Sequence, residues 1–178
     1  MADGSTPVLS LDELNSIGED QFVSLLGGIV EHSPWMASMA WRQRPFRGLA
    51  DLGAAFEASI QQAPRADQLA LIRAHPELAG REAEGDELTP ESAREQTSAG
   101  LHRLSGDAVQ ELRRLNRAYR ERFGFPLIVC VSGHTQQSIL EWGRARLECA
   151  REQEIDIALG EIAKIAHLRL SALVQVQR

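Results

Sequence analysis

The sequence lacks the features of membrane, secreted and nucleic-acid-binding proteins. Its longest apolar runs are far too short to span a bilayer. Its start, MADGSTPVLS, does not follow the charged-then-apolar pattern of a secretory signal. A net charge of −6 gives no positive excess for binding nucleic acid or an anionic membrane, although it is compatible with a local site for a small anion. We therefore expect a cytoplasmic protein that binds neither nucleic acid nor membrane.

Cysteines are scarce, and the common catalytic motifs are missing. Cys130 and Cys149 are too far apart in sequence for a CxxC motif, so we expect reduced structural thiols. The chain contains no HExxH, Walker, GxGxxG or GxSxG motif. The histidines other than His75 form no metal-ligand pattern with one another. The sequence therefore predicts no metal centre and no cysteine nucleophile.

What the chain does contain is a series of amphipathic helices. Its composition, 43% hydrophobic and 25% charged, and its length fit one globular domain, residues 1–178, with about residues 1–9 frayed. Two S-x-x-E capping boxes, Ser10–Glu13 and Ser16–Glu19, each predict the start of a helix. The only strand-like run, Phe125–Val131, has no partner strand. The sequence therefore predicts an all-α, single-domain helical bundle with one short extended segment that lines the site.

A histidine is expected at the end of one of these helices. Pro76 disfavours helical geometry in the preceding residue, so the helix should end near His75. An imidazole can accept and donate protons near neutral pH, which makes His75 a candidate for proton transfer. The alternative is a histidine that only caps the helix and favours its dipole. A charged loop, Gly80–Asp86, should follow, and Thr89-Pro90 should open the next helix.

That next helix carries three polar residues at helical spacing. Ser92, Glu95 and Gln96 are three and four positions apart, so they share one face. A hydroxyl, a carboxylate and an amide there suit the carbonyl and N–H groups of a ureide-like ligand. The alternative is a solvated polar face, to which Arg94 and Glu91 are expected to belong.

Two further places can contribute to a site. Arg169 lies on the apolar stripe of the last helix and therefore needs an anion, either Glu95 or a substrate. A structural ion pair is the alternative. In Phe125–Val129, Pro126 favours an extended course that leaves neighbouring backbone groups able to meet a ligand. Here the alternative is a buried connector.

Four segments in this order resemble the family of 2-oxo-4-hydroxy-4-carboxy-5-ureidoimidazoline decarboxylases, or OHCU decarboxylases. They are HPELAG at 75–80, SAREQ at 92–96 followed by AGL at 99–101, FGFPLIVC at 123–130 and EIAKIAHLRL at 161–170. The resemblance extends from about Phe22 to Leu173. It implies a cofactor-independent, all-α enzyme, usually a homodimer, that acts third in the conversion of urate to allantoin. The implied reaction turns the anionic ureido-imidazoline substrate into (S)-allantoin and CO₂, in functional coupling with urate oxidase and hydroxyisourate hydrolase.

The resemblance also implies roles for single residues. It makes His75, Glu95 and Arg169 catalytic. The substrate-binding positions that it implies are Pro76, Ser92, Ala93, Arg94, Glu95, Gln96, Phe125, Pro126, Leu127, Ile128 and Val129. Glu77, Leu127 and His102 depart from the commonest family pattern, and Leu127 changes the shape expected for one wall of the pocket.

Two rivals to this function come from other classes. A noncatalytic helical module that keeps the pocket would bind ligand without turnover. A helical enzyme of the carboxymuconolactone type is expected to show a different histidine or CxxC pattern.

Overall fold

The computed structural model describes residues 9–78, 89–98 and 106–175. Helices dominate these residues, so the all-α prediction is confirmed. They are α1 Leu11–Ser16, α2 Glu19–Leu26, α3 Trp35–Trp41, α4 Leu49–Gln62, α5 Arg65–Ala74, α6 Pro90–Ser98, α7 Gly106–Phe123, α8 Gln136–Arg146 and α9 Arg151–Leu173. The charged loop predicted at Gly80–Asp86 and the departure at His102 lie outside the described residues.

The contacts of the chain group its residues into two compact units. The first comprises Met1–Pro64 and Ala163–Arg178, and the second comprises Arg65–Ile162. The prediction of a single domain stays a prediction.

The first unit packs α2 on α3 and α3 on α4. Its core includes Leu14, Phe22, Phe56 and Leu170, each at most 1% exposed. Two short strands, β1 Leu9–Ser10 and β2 Val174–Gln175, pair in parallel.

Of the two capping boxes in this unit, one prediction is confirmed and one is wrong. The Ser10 hydroxyl accepts a hydrogen bond from the Glu13 N–H at 3.2 Å and caps α1. Ser16 does not begin a helix. It is the last residue of α1, and its hydroxyl donates to the Glu13 carbonyl at 2.9 Å. The cap of α2 is Gly18, which has extended backbone and no side chain to accept a bond.

In the second unit, two predicted helix ends are confirmed. Helix α5 ends at Ala74, directly before His75. The Thr89 hydroxyl accepts from the Ser92 N–H at 3.3 Å at the start of α6. After α7, Gly124 adopts φ +78°, the left-handed conformation that a helix C-terminus favours in glycine. Residues 125–131 form no strand and are buried throughout.

Packing in the second unit gives a prediction about two glycines. A Cβ at Gly143 of α8 would lie 2.6 Å from Leu115 Cδ2 and 2.8 Å from Leu127 Cδ2. Gly143→Ala is therefore expected to lower the free energy of unfolding by about 1–2 kcal/mol, because it overpacks a buried contact. Gly160→Ala is the matched control. A Cβ there meets nothing within 4 Å, so we expect a gain of about 0.5–1 kcal/mol. Urea unfolding measures the free energy of unfolding of both variants. Equal changes in Gly143→Ala and Gly160→Ala would contradict the close packing around Gly143.

Candidate active site

His75 stands in a turn directly after α5. Its backbone N–H donates to the Ile72 carbonyl at 3.3 Å, which closes the last turn of the helix. The side chains of His75, Pro76 and Glu77 are half-buried, and Leu78 is buried. The imidazole therefore follows a regular helix and precedes a proline, so the backbone on both sides of it is constrained.

Side chains from two other helices hold the residues that follow His75. Gln96 of α6 donates its Nε2 to the Glu77 carbonyl at 3.3 Å. Asn116 of α7 donates its Nδ2 to the Leu78 carbonyl at 3.0 Å. Arg120, also on α7, forms an ion pair with the Glu77 carboxylate. The turn that bears His75 is thus tied to α6 and α7 by hydrogen bonds to its backbone and by one charge pair.

The face of α6 predicted from spacing is largely buried. Ser92 is 3% exposed and Gln96 8% exposed, while Ala93 and Glu95 are half-buried. A fully solvated face is therefore excluded for Ser92 and Gln96. Arg94 is exposed, as the solvated alternative predicted for it. Among the implied binding positions in this segment, Gln96 bonds to the His75 turn through the Glu77 carbonyl.

The run Phe125–Val131 is buried, and no strand within the described residues pairs with it, so side chains bind parts of its backbone. The Ile128 carbonyl accepts from Arg146 Nη1 at 2.7 Å. The Cys130 N–H donates to Glu161 Oε2 at 2.8 Å. Buried backbone groups need partners. Two charged side chains take the place of a sheet partner here.

Arg146 is itself paired within the buried interior. Its Nε lies 3.2 Å from both carboxylate oxygens of Glu154, and the two side chains are 2% and 0% exposed. The guanidinium carbon stands 4.7 Å from the ring centre of Trp142. Tyr119 is fully buried, and this burial raises the pKa of its phenol well above the usual value. A neutral phenol and a neutralised ion pair therefore occupy this part of the core.

Arg169 is buried, as its place on the apolar stripe predicted, and it lies in the first unit. Its Nη1 donates to the Ile29 carbonyl at 2.9 Å and lies 3.0 Å from Glu31 Oε2. The structural ion pair that was the alternative for Arg169 is therefore present. These contacts place the Glu31 carboxylate beside Arg169, while a pairing of Arg169 with Glu95 stays a prediction. A role of Arg169 towards substrate stays a prediction.

Sequence reasoning missed several buried polar residues around these segments. They are Glu31, Asn116, Arg146, Glu154 and Glu161. A signal was present for two of them. Glu154 and Glu161 are seven positions apart on α9, next to the apolar positions Ile155 and Ile162. The reasoning applied to Arg169, that a charge beside an apolar stripe needs a partner, would have found them.

The part of the chain that the structure describes contains neither a metal-ligand cluster nor a membrane-spanning helix. No three or more His, Cys, Asp and Glu side chains within 9–78, 89–98 and 106–175 are grouped so that they could hold a metal ion. In that same part of the chain, every helix is too short or too polar to cross a membrane.

Comparison with known proteins gives a consistent set of similarities. Residues 15–171 match the family model described as OHCU decarboxylase. The protein of Mus musculus named 2-oxo-4-hydroxy-4-carboxy-5-ureidoimidazoline decarboxylase is 43% identical over 166 residues, which are 93% of this chain and 93% of the mouse protein.

Two solved structures are also similar to this protein. A crystal structure of (S)-allantoin synthase superimposes with a TM-score of 0.75 at 28% identity over 95% of this chain, which spans 54% of that longer chain. A crystal structure of OHCU decarboxylase in the presence of (S)-allantoin gives a TM-score of 0.65 at 26% identity, covering 86% of this chain and 96% of the other.

Proposed function

Because a family model matches it from residue 15 to residue 171, the chain belongs to the OHCU decarboxylase family, and we propose that it catalyses the reaction that gives this family its name. The substrate is 2-oxo-4-hydroxy-4-carboxy-5-ureidoimidazoline, and the products are (S)-allantoin and CO₂, in the third step of urate degradation. No cofactor takes part in the proposed reaction. The feature of the molecule that supports the proposal best is the His75 turn, whose backbone is bound by Gln96 and Asn116.

The reaction needs charge stabilisation and one directed proton. The bond between the ring carbon and its carboxylate breaks, CO₂ leaves, and the electron pair moves into the ring. The neighbouring ring carbon, which carries the ureido group, takes up a proton, and the 4-hydroxyl loses its proton as the carbonyl forms. The carboxylate form of the substrate therefore consumes one proton per turnover. Fixed hydrogen-bond donors and acceptors stabilise such a transition state electrostatically.

The residues of the site divide these tasks in our proposal. His75 takes part in proton transfer at the 4-hydroxyl or at the developing enolate, because imidazole ionises near neutral pH. Glu95 orients the imidazole or binds the ureido N–H groups. Arg169 acts as the third catalytic residue, and its established contacts with Glu31 and Ile29 fix its guanidinium.

The remaining positions bind substrate. Hydrogen bonds from Ser92, Gln96 and backbone groups near Ile128 bind the amide groups of the ring and of the ureido chain. Pro76, Ala93, Arg94 and the other residues of Phe125–Val129 complete the proposed contacts with substrate. We also propose that the protein acts as a homodimer. Because the substrate is unstable, the reactions that form it, urate oxidation and hydrolysis of the hydroxyisourate product, must run alongside this one.

The rate of substrate loss tests this proposal. Urate oxidase and hydroxyisourate hydrolase generate the substrate in the cuvette, and its decay is followed by ultraviolet absorbance. We expect the decay rate and the release of CO₂ to rise in proportion to the amount of added protein. A well-folded protein that leaves both at the uncatalysed rate would rule the enzyme out.

The noncatalytic module remains the second candidate, and it makes a different prediction. It would bind allantoin tightly in calorimetry, leave substrate decay unchanged and tolerate the loss of His75. A single titration beside the decay assay therefore separates binding without turnover from catalysis.

A further inference from the structure

A buried ion pair touches the segment proposed to bind substrate but lies outside every role assigned so far. Arg146 at the end of α8 and Glu154 in the first turns of α9 are 2% and 0% exposed. Arg146 uses one nitrogen for the Ile128 carbonyl, at 2.7 Å, and two others for Glu154. We infer that Arg146 and Glu154 are positioning residues, which act through the backbone of Phe125–Val129 on substrate binding. This inference rests on the proposed function.

Because both charges are buried, the ion pair is a costly way to stabilise the fold. Removing two charges from water costs several kcal/mol per ion, and well-packed apolar residues often replace such a pair without loss of stability. What apolar residues lack is a donor for the Ile128 carbonyl. A guanidinium supplies several donors in one rigid plane, so the bond to the carbonyl and the bonds to Glu154 hold each other in place. The pair thereby holds one point of the segment in a defined position.

A second buried carboxylate holds the same segment two residues further on. Glu161, 2% exposed, accepts the Cys130 N–H at 2.8 Å. Glu154 and Glu161 are seven positions apart on α9 and therefore lie on one side of the helix, about 10 Å apart along its axis. Both anchors of the segment thus depend on one rigid helix.

Anchoring at Ile128 and Cys130 has a consequence for Leu127 and Val129. In an extended chain, alternate residues direct their backbone groups to opposite sides. Arg146 and Glu161 bind the groups of Ile128 and Cys130, so the extended course that Pro126 favours would turn those of Leu127 and Val129 to the other side. These two residues are among the proposed substrate contacts. The charged anchors therefore control the orientation of backbone groups that would meet the ureido amide groups.

The test separates positioning from stability by replacing both partners together. In Arg146→Met/Glu154→Leu the charges are exchanged for apolar side chains of similar length, so we expect a melting temperature close to that of the unchanged protein. The Ile128 carbonyl loses its donor, and we expect KM to rise about tenfold or more while kcat falls much less. In calorimetry, the Kd for allantoin should rise by a similar factor, which measures the same segment without turnover.

Two further variants complete the test. Arg146→Lys keeps one donor for the Ile128 carbonyl but cannot form the forked contact with Glu154. Its KM should therefore lie between that of the wild type and that of the double variant. It also decides the matter if the double variant does not fold. Arg144→Gln is the matched control, because Arg144 lies two residues away on α8 and pairs with Glu111 at the surface; its KM should not change.

Three results would overturn the inference. The first is a stable double variant with unchanged KM and Kd. The second, if that variant does not fold, is an Arg146→Lys protein with unchanged KM. The third is a wild-type protein that neither turns over substrate nor binds allantoin. That result would contradict the proposed function and, with it, this inference. In the first two cases the wild-type protein still turns over substrate, so the inference fails while the proposed function stands.

Discussion

Replacement of His75 by alanine is expected to lower kcat by a factor of about 10²–10⁴, the usual contribution of a positioned proton-transfer group. The fold should survive the change. His75 is half-buried, and its turn is held by bonds from Gln96 and Asn116 to the backbone of Glu77 and Leu78 and by the Arg120–Glu77 ion pair, none of which the substitution removes. Substrate-decay kinetics together with a thermal melt measure the two effects separately.

Two comparison variants make the His75 result specific. His75→Gln keeps a polar side chain of similar reach but cannot transfer a proton near neutral pH, so its kcat should fall nearly as far. His167→Ala removes an exposed histidine of α9 that lies outside the proposed site, and its kcat should stay unchanged. Wild-type kcat in His75→Ala would remove the histidine from the mechanism.

The largest expected effect on stability comes from Arg169. Arg169→Met leaves the buried Glu31 carboxylate without the guanidinium that lies 3.0 Å away. Breaking a buried pair in this way costs about 3–5 kcal/mol. For a domain of this size that corresponds to a fall in melting temperature on the order of 10 °C. A thermal melt checks the prediction, and a shift of only one or two degrees would contradict the buried pairing.

A double variant then separates the two roles of Arg169. Arg169→Met/Glu31→Leu removes both charges and should recover most of the lost stability. If Arg169 also serves the substrate, as its match to the family's active-site arginine implies, kcat/KM should stay low in this stable protein. Recovery of kcat/KM together with stability would assign Arg169 a structural role only.

Local rules predicted the helices and most of their ends. The helix stop before His75 and the helix start at Thr89 each depend on a few adjacent residues, and proline and threonine determine them. Ser16 shows where such rules are ambiguous. A serine three positions before a glutamate can cap a helix, but α1 already extended through Ser16, whose hydroxyl bonds back to Glu13.

Local sequence patterns could not identify the partners of the buried charged residues. The stripe on the last helix predicted that Arg169 is buried and needs an anion, yet it did not identify Glu31, because the two residues meet only after the chain has folded. Ile29, a further partner of Arg169, is 140 positions away in sequence. Arg146 and Glu154 are only eight positions apart, but they lie on separate helices, so no helical spacing relates them.

The measurement closest to the central claim is the enantiomeric composition of the allantoin formed. Protonation of the ring carbon creates a stereocentre, and in free solution both faces are open to water. A site that holds the ring against fixed groups exposes one face to the proton donor. With substrate generated in place and circular dichroism followed over time, we predict rapid formation of (S)-allantoin alone. Racemic allantoin, formed at the uncatalysed rate in the presence of folded protein, would contradict it.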